Sequence, residues 1–340
     1  MLKLTAAIRA VFVIIFLTSG HYFMGSTPVS AQLGLIQEVA AYSRQVNQIT
    51  QQFAGIVQRT VEYDNLAYDV LEGEVDGAAA DRRLSELSKE LWALHERGKS
   101  QLEALPAPPA SIERADHRVR IENIRAMALA SEEMARSSIS SGEDLVQAAI
   151  AGDEDVFTRI EIRSTELMIS QLRQQSALYD VHLSNDNDRQ FNYYLTAAMK
   201  SETEALIAIL GSTIERLRSD HAASMIRIKP EVQAWIDQGL AYIETGRKVT
   251  RNALARYRSA TPKNAAERHL QAVLIEILEG NAPQSFEVEA QILREIAGLG
   301  ERDFALEEEE LDAFTLRLSG LERERARLVL ERQQRLAAPQ

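Results

Sequence analysis

Apolar residues recur along the first part of the chain at alternating spacings of three and four positions. There is no proline between residues 32 and 105, and one stripe of ten positions contains a single polar member. A mean spacing of 3.5 residues is typical of long helices that pack nearly parallel or antiparallel to their neighbours. The pattern predicts a helix over 35–72. The stripe consists of Val39, Tyr42, Val46, Ile49, Phe53, Ile56, Thr60, Tyr63, Ala67 and Val70.

Glycines, prolines and polar turns divide the rest of the chain into further helical segments. Glycine ends helices, proline stops them or begins the next one, and Ser, Thr or Asp caps their N-termini. In the first half these signals predict helices over 78–105, 111–140, 143–151 and 153–183. In the second half they predict helices over 189–226, 230–258, 262–279, 284–297 and 304–337.

The order of long, medium and short helices is the same in the two halves. Residues 95–99 (HERGK) are similar to residues 243–247 (IETGR), and the sequence IAG occurs at both 150–152 and 296–298. These regularities favour an internal duplication. The alternative is that any two helical bundles share such a rhythm.

Together the patterns predict an all-α fold. Long antiparallel helices are expected to form two tandem four-helix-bundle-like units with coiled-coil-type packing. The expected division is a signal peptide over 1–31, a first unit over 32–184, a turn over 185–187 and a second unit over 188–340, which ends in a long charged helix.

The first 31 residues have the three parts of an export signal. Lys3 and Arg9 make the start positive, and no acidic residue follows in this segment. Residues 10–20 form an apolar run, and residues 29–31 (VSA) precede the expected cleavage site. This pattern predicts cleavage before Gln32 and a protein that is exported to the periplasm or the extracellular space.

The alternative is an uncleaved membrane anchor over residues 10–24. A helix of that length spans ~22 Å at 1.5 Å per residue, which is less than the ~30 Å hydrocarbon core of a bilayer. Cleavage is therefore the preferred interpretation.

Composition excludes several classes of function. The chain has 50 Asp and Glu against 38 Lys and Arg, a net charge of −12, which argues against nucleic acid as a partner because such binding depends on positive charge. It also argues against a basic membrane-binding patch. There is no cysteine, so disulfides, thiolate metal sites and thiol catalysis are excluded.

The histidines do not form a recognisable metal or haem site. Glu113 and His117 lie four residues apart on one helical face, but a metal would need further ligands. His269 could pair with Met199 or Met225 on a haem, although nothing in their spacing selects them, and methionine commonly fills a core.

Other catalytic and ion-binding patterns are incomplete. The run at 186–188 (DND) lacks the glycine and the glutamate of a calcium loop. Serines at 137, 138, 140 and 141 have no histidine nearby in sequence and are interpreted as a packing strip or a helix end. We therefore expect no catalytic, cofactor-binding or metal-binding residues, and no cofactor.

The last helix, expected over 304–337, combines an apolar stripe with many charges. The simplest interpretation is a helix packed in its own bundle with a solvated outer face. An exposed stripe over 321–338 would instead recruit a partner helix or a second copy. Arg325 lies on this stripe, where it is tolerable near solvent and costly in a dry core.

Aromatic residues and a few polar residues are candidates for an inter-helix ligand pocket. At helical spacing, aromatics are more often part of the core. The aromatic set is Tyr63, Tyr68, Trp92, Tyr179, Tyr193, Tyr194, Trp235, Tyr242 and Tyr257. The polar residues that would mark a cleft by converging are His117, Arg163, Gln171 and Glu202.

Two hypotheses of function follow. The preferred one is an exported, non-catalytic helical protein that acts through protein–protein contact or self-association, with a cell-envelope scaffold or assembly component as its specific form. The alternative is a small-ligand-binding, sensor-like module that works with a membrane partner. That alternative rests on an analogy of fold, which does not by itself carry function.

Overall fold

The computed structural model describes residues 29–108, 115–185, 190–218, 230–301 and 308–337. These residues form ten α-helices and one π-helical turn, with no strand among them, so the all-α prediction is confirmed. The helices of the first half are α1 (Val29–Arg59), α2 (Val61–Leu71), α3 (Gly77–Glu103), α4 (Ala115–Ala151) and α5 (Glu154–Asn185). Those of the second half are α6 (Phe191–Arg218), α7 (Pro230–Ser259), α8 (Ala265–Glu276), the π-turn (Ile277–Asn281), α9 (Ala282–Glu301) and α10 (Glu308–Ala337).

The apolar stripe found in the sequence faces the interior. Eight of its ten members are at most 6 % exposed, and only Thr60 and Val70 are half-buried. The stripe runs over two helices rather than the single one expected over 35–72, because the chain makes a short turn at Thr60. Burial of such a stripe is the main stabilising contribution to a helix of this kind.

The helices contact one another in a closed order. Helix α1 packs on α4, α4 on α5, α5 on α6, α6 on α7, α7 on α9 and α9 on α10, and α10 packs on α1. Helices α2 and α3 also pack on α4. The last helix of the described chain therefore lies against the first.

The apolar core consists of two clusters, and both draw residues from the two halves of the chain. The larger cluster lies mainly in α6 to α10 and includes Ala40 of α1 and Leu172 of α5. The other lies mainly in α1 to α5 and includes Ala326 of α10. Apolar packing thus continues across the expected boundary at 185–187, and the division into two units stays a prediction.

One expected helix break, at Gly142, is absent. Helix α4 runs without interruption from Ala115 to Ala151, so the predicted separate helix over 143–151 is wrong. A Cβ at Gly142 would lie only 2.7 Å from Cγ of Tyr63, because the α4 backbone packs directly on that ring. The glycine permits a close approach between helices rather than ending one.

A second expected break, at residues 280–283, is also absent. The chain stays helical from α8 through the π-turn into α9, so the predicted separate helix over 284–297 is wrong. Pro283 is the second residue of α9, directly after the π-turn. Proline has no N–H to continue an α-helical hydrogen-bond pattern, and in this structure it stands where the pattern changes from π-helical to α-helical.

Within the described ranges, no helix combines the length and the apolar character that crossing a membrane requires. The alternative anchor over residues 10–24 lies outside the described residues. Helix α1 begins at Val29, so the expected cleavage site falls in its first turn.

Candidate functional site

Helix α10 carries a charged residue on the face that it turns towards the protein interior. Phe314, Leu318 and Leu328 of this helix are at most 5 % exposed, and Arg325 lies between them at 5 % exposure. Because the apolar residues on either side are buried, this face of α10 lies in the core. The guanidinium group of Arg325 is therefore enclosed along with them.

Arg325 forms ion pairs with three buried glutamates. Its Nη1 atom donates to Oε2 of Glu202 at 2.6 Å and to Oε2 of Glu289 at 3.0 Å. Its Nη2 atom donates to Oε1 of Glu322 at 2.6 Å. We call Glu202, Glu289, Glu322 and Arg325 the ionic cluster. All three glutamate side chains are fully buried, so the cluster joins α6, α9 and α10 inside the molecule.

Helix α5 supplies a neutral neighbour to the ionic cluster. Tyr179 is fully buried, and Nε2 of Gln175 donates to its hydroxyl oxygen at 2.8 Å. Two contacts fix the antiparallel register of α5 and α6 at this level: Ser176 donates to Glu204, and Lys200 pairs with Asp180 at 2.5 Å. Burial raises the pKa of Tyr179 well above its usual value, so the phenol stays protonated.

Burial dominates the electrostatics of the ionic cluster. It raises the pKa of Glu289 well above the ordinary range and raises that of Glu322 to about 8, although Arg325 opposes both shifts. Burial alone would lower the pKa of Arg325, but the carboxylates of Glu202 and the other two glutamates raise it well above its usual value. The guanidinium is therefore the fixed charge, and Glu289 and Glu322 are the carboxyl groups whose protonated form burial favours.

Several polar atoms of the ionic cluster are not paired in the usual way among the described residues. Nε of Arg325 has no acceptor there, and Oε1 of Glu202 and Oε1 of Glu289 receive no hydrogen bond from an N–H or hydroxyl donor. Buried polar groups in native proteins are normally hydrogen-bonded. The orphaned carboxyl oxygens therefore mark the places where a proton or a water molecule is expected.

A second buried arginine of α10 holds the π-turn in place. Arg332, at 2 % exposure, donates from Nε to Oδ1 of Asn281 at 2.9 Å and from Nη2 to Oγ of Ser285 at 3.1 Å. Its Nη1 atom donates to Oδ1 of Asn192 at 3.0 Å, at the start of α6. The guanidinium carbon lies 5.1 Å from the centre of the Phe191 ring, in cation–π range.

The side-chain amide of Asn281 links the π-turn to α10 through both of its polar atoms. Nδ2 of Asn281 donates to the backbone carbonyl of Leu328 at 2.8 Å, while Oδ1 accepts from Arg332. The π-turn thus presents Asn281 to two positions on α10, one turn apart. This arrangement gives the insertion a structural role in docking the last helix.

The first half contains a small cavity near the serines singled out in the sequence. Its lining includes Asp64, Ser138, Ser141 and Ser164. The volume of the cavity is about 20 Å³. That is enough for about one water molecule and too small for an organic ligand. Ser138 and Ser141 therefore line a polar pocket between α2, α4 and α5.

A buried histidine contacts a glutamate in the first half. His95 is 1 % exposed, and its Nε2 atom lies 2.8 Å from Oε1 of Glu132. The Trp92 ring meets it edge-on at 5.4 Å, and the Trp92 indole donates to Glu143. This contact joins α3 to α4.

The residues proposed to mark a cleft do not all converge. Gln171 and Glu202 are buried, at 4 % and 0 %, whereas Arg163 is exposed. The side chain of His117 lies outside the described residues, as do Glu113, Met225 and the run at 186–188. Met199 is fully buried in the larger apolar cluster, and His269 is half-buried on α8.

The candidate aromatic residues lie mainly in or against the core. Eight of the nine are members of the two apolar clusters or pack against them. The ninth, Tyr193, meets the Tyr194 ring edge-on at 5.2 Å.

Two members of the ionic cluster stand out in the sequence: Arg325 as a charge on an apolar stripe, and Glu202 as a candidate cleft residue. The other two members, Glu289 and Glu322, do not stand out there, and neither does Arg332. Their sequence signal is the same as that of Arg325, since each is a charged residue at the spacing of buried positions. The described residues contain no group of three or more His, Asp or Glu arranged to hold a metal ion.

Comparison with known protein families, with characterised proteins and with solved structures finds no match to this chain. Function is therefore argued from geometry.

Proposed function

We propose that this protein is an exported, non-catalytic helical scaffold that acts through contact with other proteins in an assembly of the cell envelope. The observation that carries the proposal is the ionic cluster, in which Arg325 ties three helices together in the interior. Buried ion pairs contribute little net stability compared with apolar packing, and their best-supported use is to specify one arrangement of helices. A fixed arrangement of helices holds the outer surfaces in place for recognition.

Ion pairs between neighbouring helices support the same interpretation on the outer surface. Arg59 pairs with Glu90 across α1 and α3 at 2.5 Å, and Arg247 pairs with Glu287 across α7 and α9 at 2.7 Å. Exposed pairs of this kind contribute little to stability. Their value for a scaffold is that they favour one register between helices.

The stripe over 321–337 is not available as an exposed docking face. Leu328, Val329 and Leu336 are at most 6 % exposed, because α10 packs on α1 and α9. A protein partner or a second copy would therefore contact another surface of the molecule. Self-association remains a proposal that does not depend on this stripe.

Export is supported by the N-terminal sequence. Removal of residues 1–31 takes away Lys3 and Arg9 and no acidic residue, so the exported chain is more acidic than the precursor. A strongly acidic surface favours solubility and disfavours binding to nucleic acid or anionic lipid.

Helix lengths support the proposed duplication. Helix α4 has 37 residues, and the continuous segment made of α8, the π-turn and α9 consists of 12, 5 and 20 residues, which is the same length. We infer that each half contributes one equivalent long helix. A scaffold built from two related units would present related surfaces twice.

The test is to express the full chain in a bacterial host with a periplasm, fractionate the cells and crosslink proteins in intact cells. We expect the mature protein to begin at Gln32, because small residues precede that bond, and we expect crosslinks to an envelope protein identified by mass spectrometry. The matched control is Ala31→Glu, which should block cleavage. An intact Met1 terminus in the membrane fraction would support the anchor, and an exported protein without any crosslinked partner would contradict the scaffold.

A second candidate function is favoured by orphaned amides in the interior. Nδ2 of Asn47 on α1, Nε2 of Gln171 on α5 and both polar atoms of Gln333 on α10 are buried without a hydrogen-bond partner among the described residues. An unsatisfied buried polar group costs ~1–3 kcal/mol. Gln333 has neither polar atom of its amide paired, so it is the residue at which a small polar ligand would recover that free energy, as a ligand-binding module requires.

Thermal-shift measurements with a panel of small polar metabolites test this candidate. A ligand at one hundred times its dissociation constant stabilises the fold by ~2.7 kcal/mol, which gives a visible shift. Gln333→Leu should abolish the shift, whereas Gln334→Leu at the exposed neighbouring position should keep it. If no compound shifts the melting temperature and Gln333→Leu simply stabilises the protein, the amide is a structural defect and the candidate fails.

A further inference from the structure

The ionic cluster contains more negative groups than positive ones. Three carboxyl groups face one guanidinium, and the four side chains are between 0 % and 6 % exposed. Full ionisation would leave two uncompensated negative charges in the interior. An unpaired buried charge is strongly disfavoured, so a buried carboxyl group in this situation takes up a proton instead.

Contacts within the ionic cluster show where protons are needed. Glu202 and Glu289 converge on the same atom, Nη1 of Arg325, so that nitrogen serves two carboxyl groups. A side-chain hydrogen bond between the two carboxyl groups contributes to the raised pKa of Glu289, and such a bond needs a proton on one of them. Two carboxyl groups that meet at one donor are stable together when one of them is protonated, as in other carboxyl pairs that share a site.

Arg325 is the cation to which the hydrogen bonds of the ionic cluster run. Helix α5 contributes the buried phenol of Tyr179 and carries the buried His182 one turn further along. On α1, the buried Ser43, Asn47 and Thr50 carry no charge, Tyr42 is a buried phenol and Arg44 is half-buried. The contacts of the ionic cluster on α6, α9 and α10 are its own members. Among the described residues, charge balance in the cluster therefore depends on protons.

We propose that the ionic cluster is a proton-binding site that couples the docking of α10 to pH: the folded protein holds at least one proton on Glu289 or Glu322, and α10 binds less strongly as that proton is lost. Helix α10 carries both Glu322 and Arg325, while Glu202 and Glu289 lie on α6 and α9. Loss of the proton makes carboxylates repel across the interface that holds α10. Helix α10 also packs on α1, so weaker docking of α10 affects helices of both halves of the chain.

The direction of the pH effect follows from burial. Burial raises the pKa of Glu322 from 4.5 to about 8 and raises that of Glu289 further above its usual value. A carboxyl group whose pKa is higher in the folded state binds more protons when folded. Its stabilising contribution is complete below pH ~4.5 and is lost as pH rises through about 8. This inference goes beyond the proposed scaffold function and does not depend on it.

The first experiment measures unfolding of the mature chain by denaturant between pH 5 and pH 9. Each proton released on unfolding makes the unfolding equilibrium constant rise by up to tenfold per pH unit in the interval where it titrates. We expect such a rise in the wild type between about pH 5 and pH 8. A constant that is flat or falls over this interval would overturn the proposal.

The matched variants are Glu322→Gln and Glu324→Gln on the same helix. Glutamine at 322 keeps the shape of a protonated glutamate but cannot ionise, so the pH dependence should weaken and the variant should be relatively more stable at pH 8. Glu324 is exposed, and its pKa is lowered by Arg327, so Glu324→Gln should leave the pH dependence between 5 and 8 unchanged. Equal pH dependence in the two variants would contradict the assignment.

Infrared spectroscopy of the wild type gives a readout that does not require any variant to fold. At pH 7 exposed carboxyl groups are ionised, so absorption from protonated carboxyl groups reports buried ones. We expect such a band in the folded protein, with loss on raising the pH to 9 or on unfolding. Absence of the band at pH 7 would refute the proposal, and its reduction in Glu289→Gln or Glu322→Gln would assign it.

Discussion

Replacing Arg325 with methionine is expected to destabilise the folded protein by about 3–5 kcal/mol at pH 7, which is the usual cost of breaking a buried ion pair by removing one partner. Methionine fills a similar volume, so the loss reflects the charge and its hydrogen bonds rather than a cavity. Glu202, Glu289 and Glu322 would be left facing one another without their cation. Denaturant unfolding measures the change.

Arg327→Met provides the matched control for Arg325→Met. Arg327 lies two residues further along the same helix and pairs with Glu324 and Glu331, but its side chain is 54 % exposed. Exposed pairs of this kind contribute ~0–1 kcal/mol. The cost of Arg325→Met should also shrink at pH 5, where Glu289 and Glu322 are protonated more readily because burial raises their pKa values. Similar costs for the two variants would show that burial of the ionic cluster has no energetic consequence.

The second large effect is expected for Arg332→Met, which should cost about 3 kcal/mol because several buried hydrogen bonds are lost at ~1 kcal/mol or more each. The change removes donors from Asn281, Ser285 and Asn192, which then stay buried. It also removes the cation–π contact with Phe191. Thermal and denaturant unfolding both report the loss.

Two further variants separate the hydrogen-bond geometry of Arg332 from its charge and from the effect of losing any arginine of α10. Arg332→Lys keeps the charge but cannot donate in three fixed directions, so it should recover only part of the stability. Arg335→Met removes an arginine of the same helix that pairs with Glu276 and Glu331 at a more exposed position, and it should cost under ~1 kcal/mol. Full recovery by lysine would mean that the directional hydrogen bonds of Arg332 contribute nothing.

These two arginines explain why α10 differs from an ordinary amphipathic helix. Both lie on its buried face, seven residues apart, and each reaches helices that are distant in sequence. Arg325 contacts the middle of α6, and Arg332 contacts the start of α6 and the π-turn. The docking of α10 is therefore specified by polar contacts at two levels and not by apolar packing alone. This is the feature on which both the scaffold proposal and the proton-binding proposal rest.

Hydrophobic spacing in the sequence was sufficient to predict the all-α class and the buried stripe of α1 and α2. Val46, Phe53 and Tyr63 are completely buried, as a stripe with a mean spacing of 3.5 residues requires. The N-termini of α3 and α7 also lie within one residue of the predicted positions 78 and 230. In the structure Asp76 caps α3 and Pro230 begins α7, and both are local features of the sequence. These features depend on residues that are close together in the chain.

Local signals failed where a distant residue decided the outcome. Gly142 resembles a helix break until Tyr63 is placed against it, and the segment around Pro283 resembles a break until the π-turn is fixed by Asn281 and Leu328. In both cases a tertiary contact stabilises a helix that the local sequence would interrupt. The intrinsic helix propensity of a residue has a weaker influence on where a helix ends than such packing does.

Sequence by itself determined that this chain is a set of long helices with one buried apolar face each, since periodicity is a property of neighbouring residues. Only the tertiary structure decided what surrounds the charges on those faces. Arg325 is 123 residues from Glu202 and 36 from Glu289, and no spacing rule connects them. Their meeting depends on the order in which the helices pack, and that order is set by the summed burial and hydrogen bonding of the whole chain.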